Sequence, residues 1–137
     1  MTTGFWLRIG AIWGFLAVSM GAFGAHGLKD RLAAIGFGEN FHTAAQYHMY
    51  HALALVAVGV LGMVSRSGTA LSIAGWSFLV GSLIFSGSLY ILSLTGLKWL
   101  GAITPIGGSL LLVGWVALAI AAGSARQSPC NINTSSP

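Results

Sequence analysis

Charged side chains are what this sequence has least of. Lys and Arg number 6 and Asp and Glu number 2, so 6 % of the 137 residues are charged, whereas a soluble domain usually carries about 25 %. The uncharged stretches are long, and a transmembrane helix needs roughly 20 mainly apolar residues. These features exclude an ordinary soluble fold and predict an integral membrane protein with the lipid bilayer as its surroundings.

Cysteine and acidic residues are scarce enough to exclude several kinds of site. Cys130 is the single cysteine and lies in a polar tail, so it forms no internal disulfide and no paired-cysteine metal site. No Asp or Glu falls inside a predicted span, and no serine has an acid and a base of triad type beside it. We therefore assign no catalytic residue, no metal ligand set and no cofactor, and we expect no enzyme.

The basic residues are scattered along the chain instead of clustered. They lie near span ends, which is typical of side chains that anchor a helix at the membrane surface. A nucleic-acid site needs a basic patch, so no nucleic acid is expected as a partner. Arg8, Arg66 and Arg126 lie on one side of the predicted topology. We expect that side, with both termini, to face the cytoplasm.

Four apolar runs predict an all-α four-helix membrane bundle. The predicted transmembrane helices cover residues 4–25, 43–64, 69–94 and 104–123, within a single membrane domain over residues 1–125. We interpret the first run as a helix and not as a cleaved signal peptide, because its apolar part is long. Between the first two spans we expect a short interfacial helix and a turn at Gly36 and Gly38. Residues 126–137 are predicted to form a disordered polar tail.

The two halves of the chain resemble each other at an offset of 63 residues. Trp13-x-Phe15-Leu16-x-x-Ser19 aligns with Trp76-x-Phe78-Leu79-x-x-Ser82. This pattern favours two tandem helical hairpins. Short connections between the spans then require antiparallel neighbours.

Small residues form one stripe along the first predicted helix: Gly10, Gly14, Ala17, Gly21 and Gly24. Such a stripe lets another helix approach closely. We therefore expect Gly14→Leu or Gly21→Leu to disturb folding more than Leu16→Ala. The same glycine stripes suggest assembly with a second copy or with a larger membrane complex.

Polar residues crowd at the entry of the second span, where three of the four histidines lie: His42, His48 and His51. His48 and His51 are one helical turn apart and point along the packing face. Together with His26 and with Ser86 and Tyr90 on the third span, they are the candidate ligand-binding residues.

Three interpretations of these residues stay open. Neutral imidazoles can form hydrogen bonds between helices, they can bind haem or a metal, or they can contact a ligand such as a quinone or pass protons in a minimal transporter. His51 lies deepest, so we expect it to be the most sensitive histidine. We also expect it to stay neutral and to donate to Ser86 or Tyr90, whereas His42 is expected to matter little.

Three segments resemble a known family. They are Gly21-Ala-Phe-Gly-Ala-His-Gly-Leu28, Thr43-Ala-Ala-Gln-Tyr-His-Met-Tyr-His-Ala-Leu-Ala-Leu55, and Ser86-Gly-Ser-Leu-Tyr-Ile-Leu-Ser-Leu-Thr-Gly96 with Leu100-Gly-Ala-Ile-Thr-Pro-Ile-Gly-Gly108. In combination they are similar to the YgdD-like family of small bacterial inner-membrane proteins, a family of unknown function. The resemblance implies a multi-pass four-helix protein of the bacterial inner membrane. Its pattern falls here on His26, His51, Ser86, Gly87, Tyr90, Thr104, Pro105 and Gly108.

Overall fold

The computed structural model describes residues 4–64 and 68–125, and these residues form helices and no strand. The α-helices are α1 (Gly4–Ala22), α2 (Lys29–Ile35), α3 (Gly38–Val64), α4 (Gly68–Thr95) and α5 (Thr104–Ala125). A π-helical turn, Phe23–Gly27, continues α1, and a 3-10 turn, Lys98–Ala102, leads into α5. The predicted all-α class and the short helix between the first two long helices are confirmed. The predicted tail, residues 126–137, lies outside the described residues.

Four helical segments are long and apolar enough to cross a membrane: Gly4–Gly27, Gly38–Val64, Gly68–Thr95 and Lys98–Gly123. The helix predicted from Thr43 begins earlier, at Gly38, because Phe41 and Ala44 are buried and continue the apolar face of α3. The turn expected at Gly36 is present, with a φ of 79° that favours glycine. Gly38, expected in the same turn, is instead the first residue of α3.

Helices α3 and α4 form the centre of the bundle. Helix α1 packs mainly on α3, and α5 packs mainly on α4. Leu55 and Phe78, fully buried, lie in the main core cluster. The Arg31 guanidinium donates to the Leu94 carbonyl at 3.1 Å, which holds α2 beside the end of α4.

Glycines allow the closest contacts between these helices. A Cβ on Gly10 would lie 2.8 Å from the Val56 backbone nitrogen, and one on Gly107 would lie 2.5 Å from that of Phe85. Gly10 is therefore the position at which the α1 stripe allows the expected close contact with the backbone of α3. Gly14 meets only Ala52, at 3.9 Å, and Gly21 meets nothing within 4 Å. The structure thus does not support Gly21 as a close-packing position, although Gly24, the next glycine of the stripe, meets the Phe41 ring of α3.

The two long hairpins, α1 with α3 and α4 with α5, pack in the same register. In the second hairpin Gly114 faces Phe78. The 63-residue offset relates this pair to residues 51 and 15 of the first hairpin. In the first hairpin Gly14 faces Ala52. This pair is one residue away from positions 15 and 51 on each antiparallel helix, so the two hairpins share one packing register. This agreement supports the tandem hairpins that the sequence offset predicts.

Candidate functional site

His48 is a buried histidine of α3 that faces both α1 and α4. It is 6 % exposed, and its ring meets Trp13 of α1 edge-on at a centroid distance of 5.0 Å. Its Nδ1 lies 3.4 Å from the Tyr90 hydroxyl on α4. No other acceptor for that hydroxyl hydrogen is recorded among the described residues, so we assign donation from Tyr90 to Nδ1, which leaves the proton on Nε2. Nε2 is buried and has no hydrogen-bond partner in the described part of the chain.

Two serines on α4, one turn apart, face the same region but differ in bonding. The Trp13 indole N–H donates to Ser82 Oγ at 2.8 Å, and Ser82 Oγ donates to the Leu79 carbonyl at 3.1 Å. Ser86 is 2 % exposed, and its Oγ has no partner among the described residues. Serines in membrane helices usually bond their own helix backbone, as Ser93 does with Leu89 at 2.7 Å. Ser86 is therefore unusual in its own helix.

The two unpartnered atoms belong to residues that line one cleft of about 240 Å³ between α1 and α4, which we call the α1–α4 cleft. Leu16 and Leu83 stand at its mouth and are 40 % and 57 % exposed, so the cleft opens toward the lipid. None of the described residues that line it is charged. The lining residues are Trp13, Leu16, Met20, His48, Ser82, Leu83, Ser86, Gly87 and Tyr90.

His51 belongs to a different face of α3. Its Nδ1 lies 2.7 Å from the Tyr47 carbonyl, and the Trp115 indole N–H of α5 donates to its Nε2 at 3.3 Å. A carbonyl only accepts and an indole N–H only donates, so Nδ1 carries the proton and the ring is neutral. The expected donation from His51 to Ser86 or Tyr90 is wrong, because the ring points toward α5. His48 occupies that position instead.

A second, larger groove of about 500 Å³ lies between α3 and α5, beside His51. Tyr50 and Leu112 at its rim are 54 % and 69 % exposed. Both ring nitrogens of His51 already have partners in this groove. The groove therefore offers an apolar surface to lipid and no unpaired imidazole.

The candidate His26, and also His42, which is not one of the candidates, are separated from the α1–α4 cleft. His26 is exposed in the π-helical turn after α1, and His42 is exposed on α3, where it lies 3.2 Å from the Gln46 amide. Within residues 4–64 and 68–125, no group of three or more His, Cys, Asp or Glu side chains could hold a metal ion. Of the five candidate ligand-binding residues, the structure thus brings together His48, Ser86 and Tyr90.

Comparison with known proteins places the chain among membrane proteins of unknown function. The family described as "Protein of unknown function (DUF423)" matches residues 20–108. The UPF0382 membrane protein YwdK of Bacillus subtilis (strain 168) is 46 % identical over 114 residues, which cover 83 % of this chain and 92 % of the relative. The chain belongs to the DUF423 family. The resemblance to a membrane family of unknown function is confirmed at that level, and the narrower YgdD-like label stays a prediction.

Other family members are similarly close. A UPF0382 membrane protein of Haemophilus influenzae (strain ATCC 51907 / DSM 11121 / KW20 / Rd) is 40 % identical over 114 residues, 83 % of this chain and 90 % of the relative. No solved structure matches the chain. The names of these relatives, together with the four long apolar helices, identify this DUF423 chain as a multi-pass membrane protein of uncharacterised function.

Sequence reasoning did not select two tryptophans that donate hydrogen bonds to polar side chains, Trp13 in the α1–α4 cleft and Trp115 beside His51. The sequence pattern drew attention to Trp13 only through the 63-residue offset, and it did not indicate Trp115 as a partner for a histidine. A usable signal was present, because an indole N–H is a donor that needs an acceptor once it is buried in an apolar helix. Trp13 and Trp115 have Ser82 and His51, respectively, as those acceptors.

Proposed function

We propose that this protein is a non-enzymatic binding protein that holds the polar head of a small lipid-phase molecule in the α1–α4 cleft. His48 Nε2 and Ser86 Oγ are the groups that contact this head. The proposal rests on one observation: both atoms are buried, both lack a partner among the described residues, and both belong to residues that line this cleft.

The energetic reason is the cost of an unpaired polar group. Leaving a buried donor or acceptor unsatisfied costs about 1–3 kcal/mol, and the bilayer core holds no water to bond it. Two such groups in residues of one cleft therefore destabilise the protein unless a ligand forms hydrogen bonds with them. A molecule that reaches the cleft from the lipid can supply both partners.

The chemistry of the cleft supports binding over catalysis. Its described lining includes no carboxylate that would orient His48 as a general base, and no Lys or Arg whose charge would stabilise an oxyanion. Haem and metal sites are also poorly supported, since His48 is the single histidine among the described residues that line the cleft.

The role that the sequence favoured first was a structural or complex-associated bundle that assembles through glycine stripes. The glycines that lie closest to a backbone nitrogen of another helix, Gly10, Gly59 and Gly107, meet helices of the same chain. Their packing surface is thus already used inside the bundle. Assembly with a second copy or a larger complex stays a prediction, and it receives no added support from these glycines.

The test uses a variant that fills the cleft without disturbing the helices. Gly87 lines the cleft, and a Cβ there meets nothing within 4 Å, so Gly87→Leu projects into the open space. Gly123 on α5 has equally open surroundings and does not line the cleft, which makes Gly123→Leu the matched control.

Each protein is extracted from its membrane directly into lipid nanodiscs, and the bound small molecules are measured by mass spectrometry. Wild type and Gly123→Leu should carry the same enriched molecule, and Gly87→Leu should carry much less of it. Identical small-molecule profiles for wild type and Gly87→Leu would contradict the proposed function.

A further inference from the structure

We infer that the molecule bound in the α1–α4 cleft is a quinone with an alkyl or isoprenoid tail, held by one ring carbonyl between His48 Nε2 and Ser86 Oγ. This inference rests on the proposed function and names its ligand class. It depends on the charge, the hydrogen-bonding groups and the shape of the cleft.

The absence of charge along the cleft excludes ionic head groups. Lys29, Arg31 and Lys98 are exposed near helix ends, and no charged residue is among the described residues that line the cleft. A phosphate or carboxylate buried there would lack a counter-charge, which is far more costly than burying a neutral group. The head group must therefore be neutral.

The two unpartnered groups are both able to donate. Ser86 carries a hydroxyl hydrogen, and donation from Tyr90 to His48 Nδ1 leaves a proton on Nε2. A carbonyl oxygen has two lone pairs and can accept both hydrogen bonds at once. An alcohol oxygen can also accept, but its own hydrogen would then need a further acceptor in the cleft.

The shape of the cleft favours a ring over a simple alcohol. Trp13 and Tyr90 supply aromatic walls that pack well against another ring. Gly87 leaves open space beside them, in a cleft of about 240 Å³. A hydroxymethyl group would leave most of that volume empty, and packed interiors keep few voids larger than a water molecule.

The mouth of the cleft accommodates a tail. Leu16 and Leu83 are exposed toward the lipid at its edge, so an alkyl or isoprenoid chain attached to the ring can continue into the bilayer. The ring head is then held by protein, and the tail is solvated by lipid.

The experiment measures saturable binding to purified protein in nanodiscs of synthetic phosphatidylcholine. Decylubiquinone, geranylgeraniol and oleic acid are titrated separately, and retention above that of empty nanodiscs is quantified by chromatography. For decylubiquinone we expect about one molecule per chain. We also expect binding about tenfold weaker for Ser86→Ala and for Gly87→Leu, which is the loss of one good hydrogen bond or of the space for the ring. Gly123→Leu should bind within about twofold of wild type, since its leucine lies away from the cleft.

The outcomes separate this inference from the proposed function. Saturable binding of geranylgeraniol or oleic acid without decylubiquinone, lost in Gly87→Leu, overturns the quinone class and supports the cleft as a binding site. Decylubiquinone binding that is unchanged in Gly87→Leu places the ligand elsewhere and overturns both. If none of the three probes binds saturably, the quinone inference is wrong, and the native extraction comparison alone decides the proposed function.

Discussion

At the residue scale, Ser82 and Ser86 show why burial alone does not identify a site. Both are almost fully buried and lie one turn apart on α4. Ser82 accepts from Trp13 and donates to its own helix, whereas Ser86 Oγ is unpartnered in the described part of the chain. The first hydroxyl bonds within the bundle, and the second is the one that we propose contacts a ligand.

This contrast predicts opposite effects of alanine in protein stripped of bound small molecules. Ser82→Ala removes the acceptor of the Trp13 indole and should lower the free energy of unfolding by about 1 kcal/mol. Ser86→Ala removes an unpaired hydroxyl and should leave that free energy unchanged or raise it slightly. Thermal unfolding in detergent measures both variants side by side. Equal losses of stability would show that Ser86 has a structural partner.

The bonding of His51 gives a second prediction at this scale. His51→Leu leaves the Trp115 indole N–H without its acceptor and should lower the free energy of unfolding by about 1–2 kcal/mol. His42→Leu is the control, because His42 is exposed and lies near only Gln46 of its own helix. Unfolding midpoints of the two variants provide the comparison. A His42→Leu loss as large as that of His51→Leu would argue against the assignment.

The candidate residues could be predicted from the sequence, but their partners could not. Helical spacing correctly placed His48 and His51 on the packed face of α3, about 60° apart. That angle is enough to direct His48 toward α1 and α4 and His51 toward α5. The order of helices around a bundle depends on tertiary packing, so the sequence assigned the α4 partners to the wrong histidine.

At the element scale, adjacent glycines at the start of α5 differ in the space around them. A Cβ on Gly107 would lie 2.5 Å from the Phe85 backbone nitrogen, whereas one on Gly108 would be 3.7 Å from the Phe85 ring. Only the first distance is shorter than van der Waals contact allows. Helices α4 and α5 therefore depend on Gly107 for their close approach.

We expect Gly107→Ala to lower the yield of folded protein and to destabilise the bundle by about 1–3 kcal/mol, because backbones must move apart. Gly108→Ala should be neutral or slightly stabilising, since alanine is the better helix former. Size-exclusion profiles and thermal unfolding of the two variants test this pair. Similar behaviour of both would contradict the packing described for α4 and α5.

The four long helices were predictable from composition because bilayer thickness fixes their length. The ends of the helices and their close contacts were less predictable from the sequence. The first turns of α3 contain His42 and Glu39 and were assigned to a loop, although Phe41 continues the buried face. Likewise, the glycine stripe of α1 was predicted as a whole, but only the helix crossing decides which of its glycines meets a backbone.

At the scale of the whole molecule, the shared packing register of the two hairpins agrees with the sequence offset. Repetition did not produce two equivalent sites, however. The position that corresponds to His48 in the second hairpin is Leu111, and the cleft lies on the α1 side of the bundle only. The cleft therefore belongs to the contact between the hairpins and not to either repeat alone.

An even number of spanning helices predicts that both termini lie on the same side of the membrane. Reporter tags before residue 1 and after residue 137 should both be protected in intact cells and accessible in inverted vesicles, as expected for cytoplasmic termini. A tag in the connection between α1 and α3 should show the reverse pattern. Tags at the two termini with opposite accessibility would refute the four-span topology.

The central claim is that a ligand head contacts His48 Nε2, and ¹⁵N-histidine NMR of the protein in nanodiscs tests it most directly. Spectra are recorded after native extraction and again after exhaustive exchange into synthetic phosphatidylcholine. The account predicts that the His48 Nε2 resonance shifts when the ligand is removed, whereas His51 keeps its proton on Nδ1 in both samples. An unchanged His48 resonance in a preparation shown to lose its bound molecule would contradict the claim.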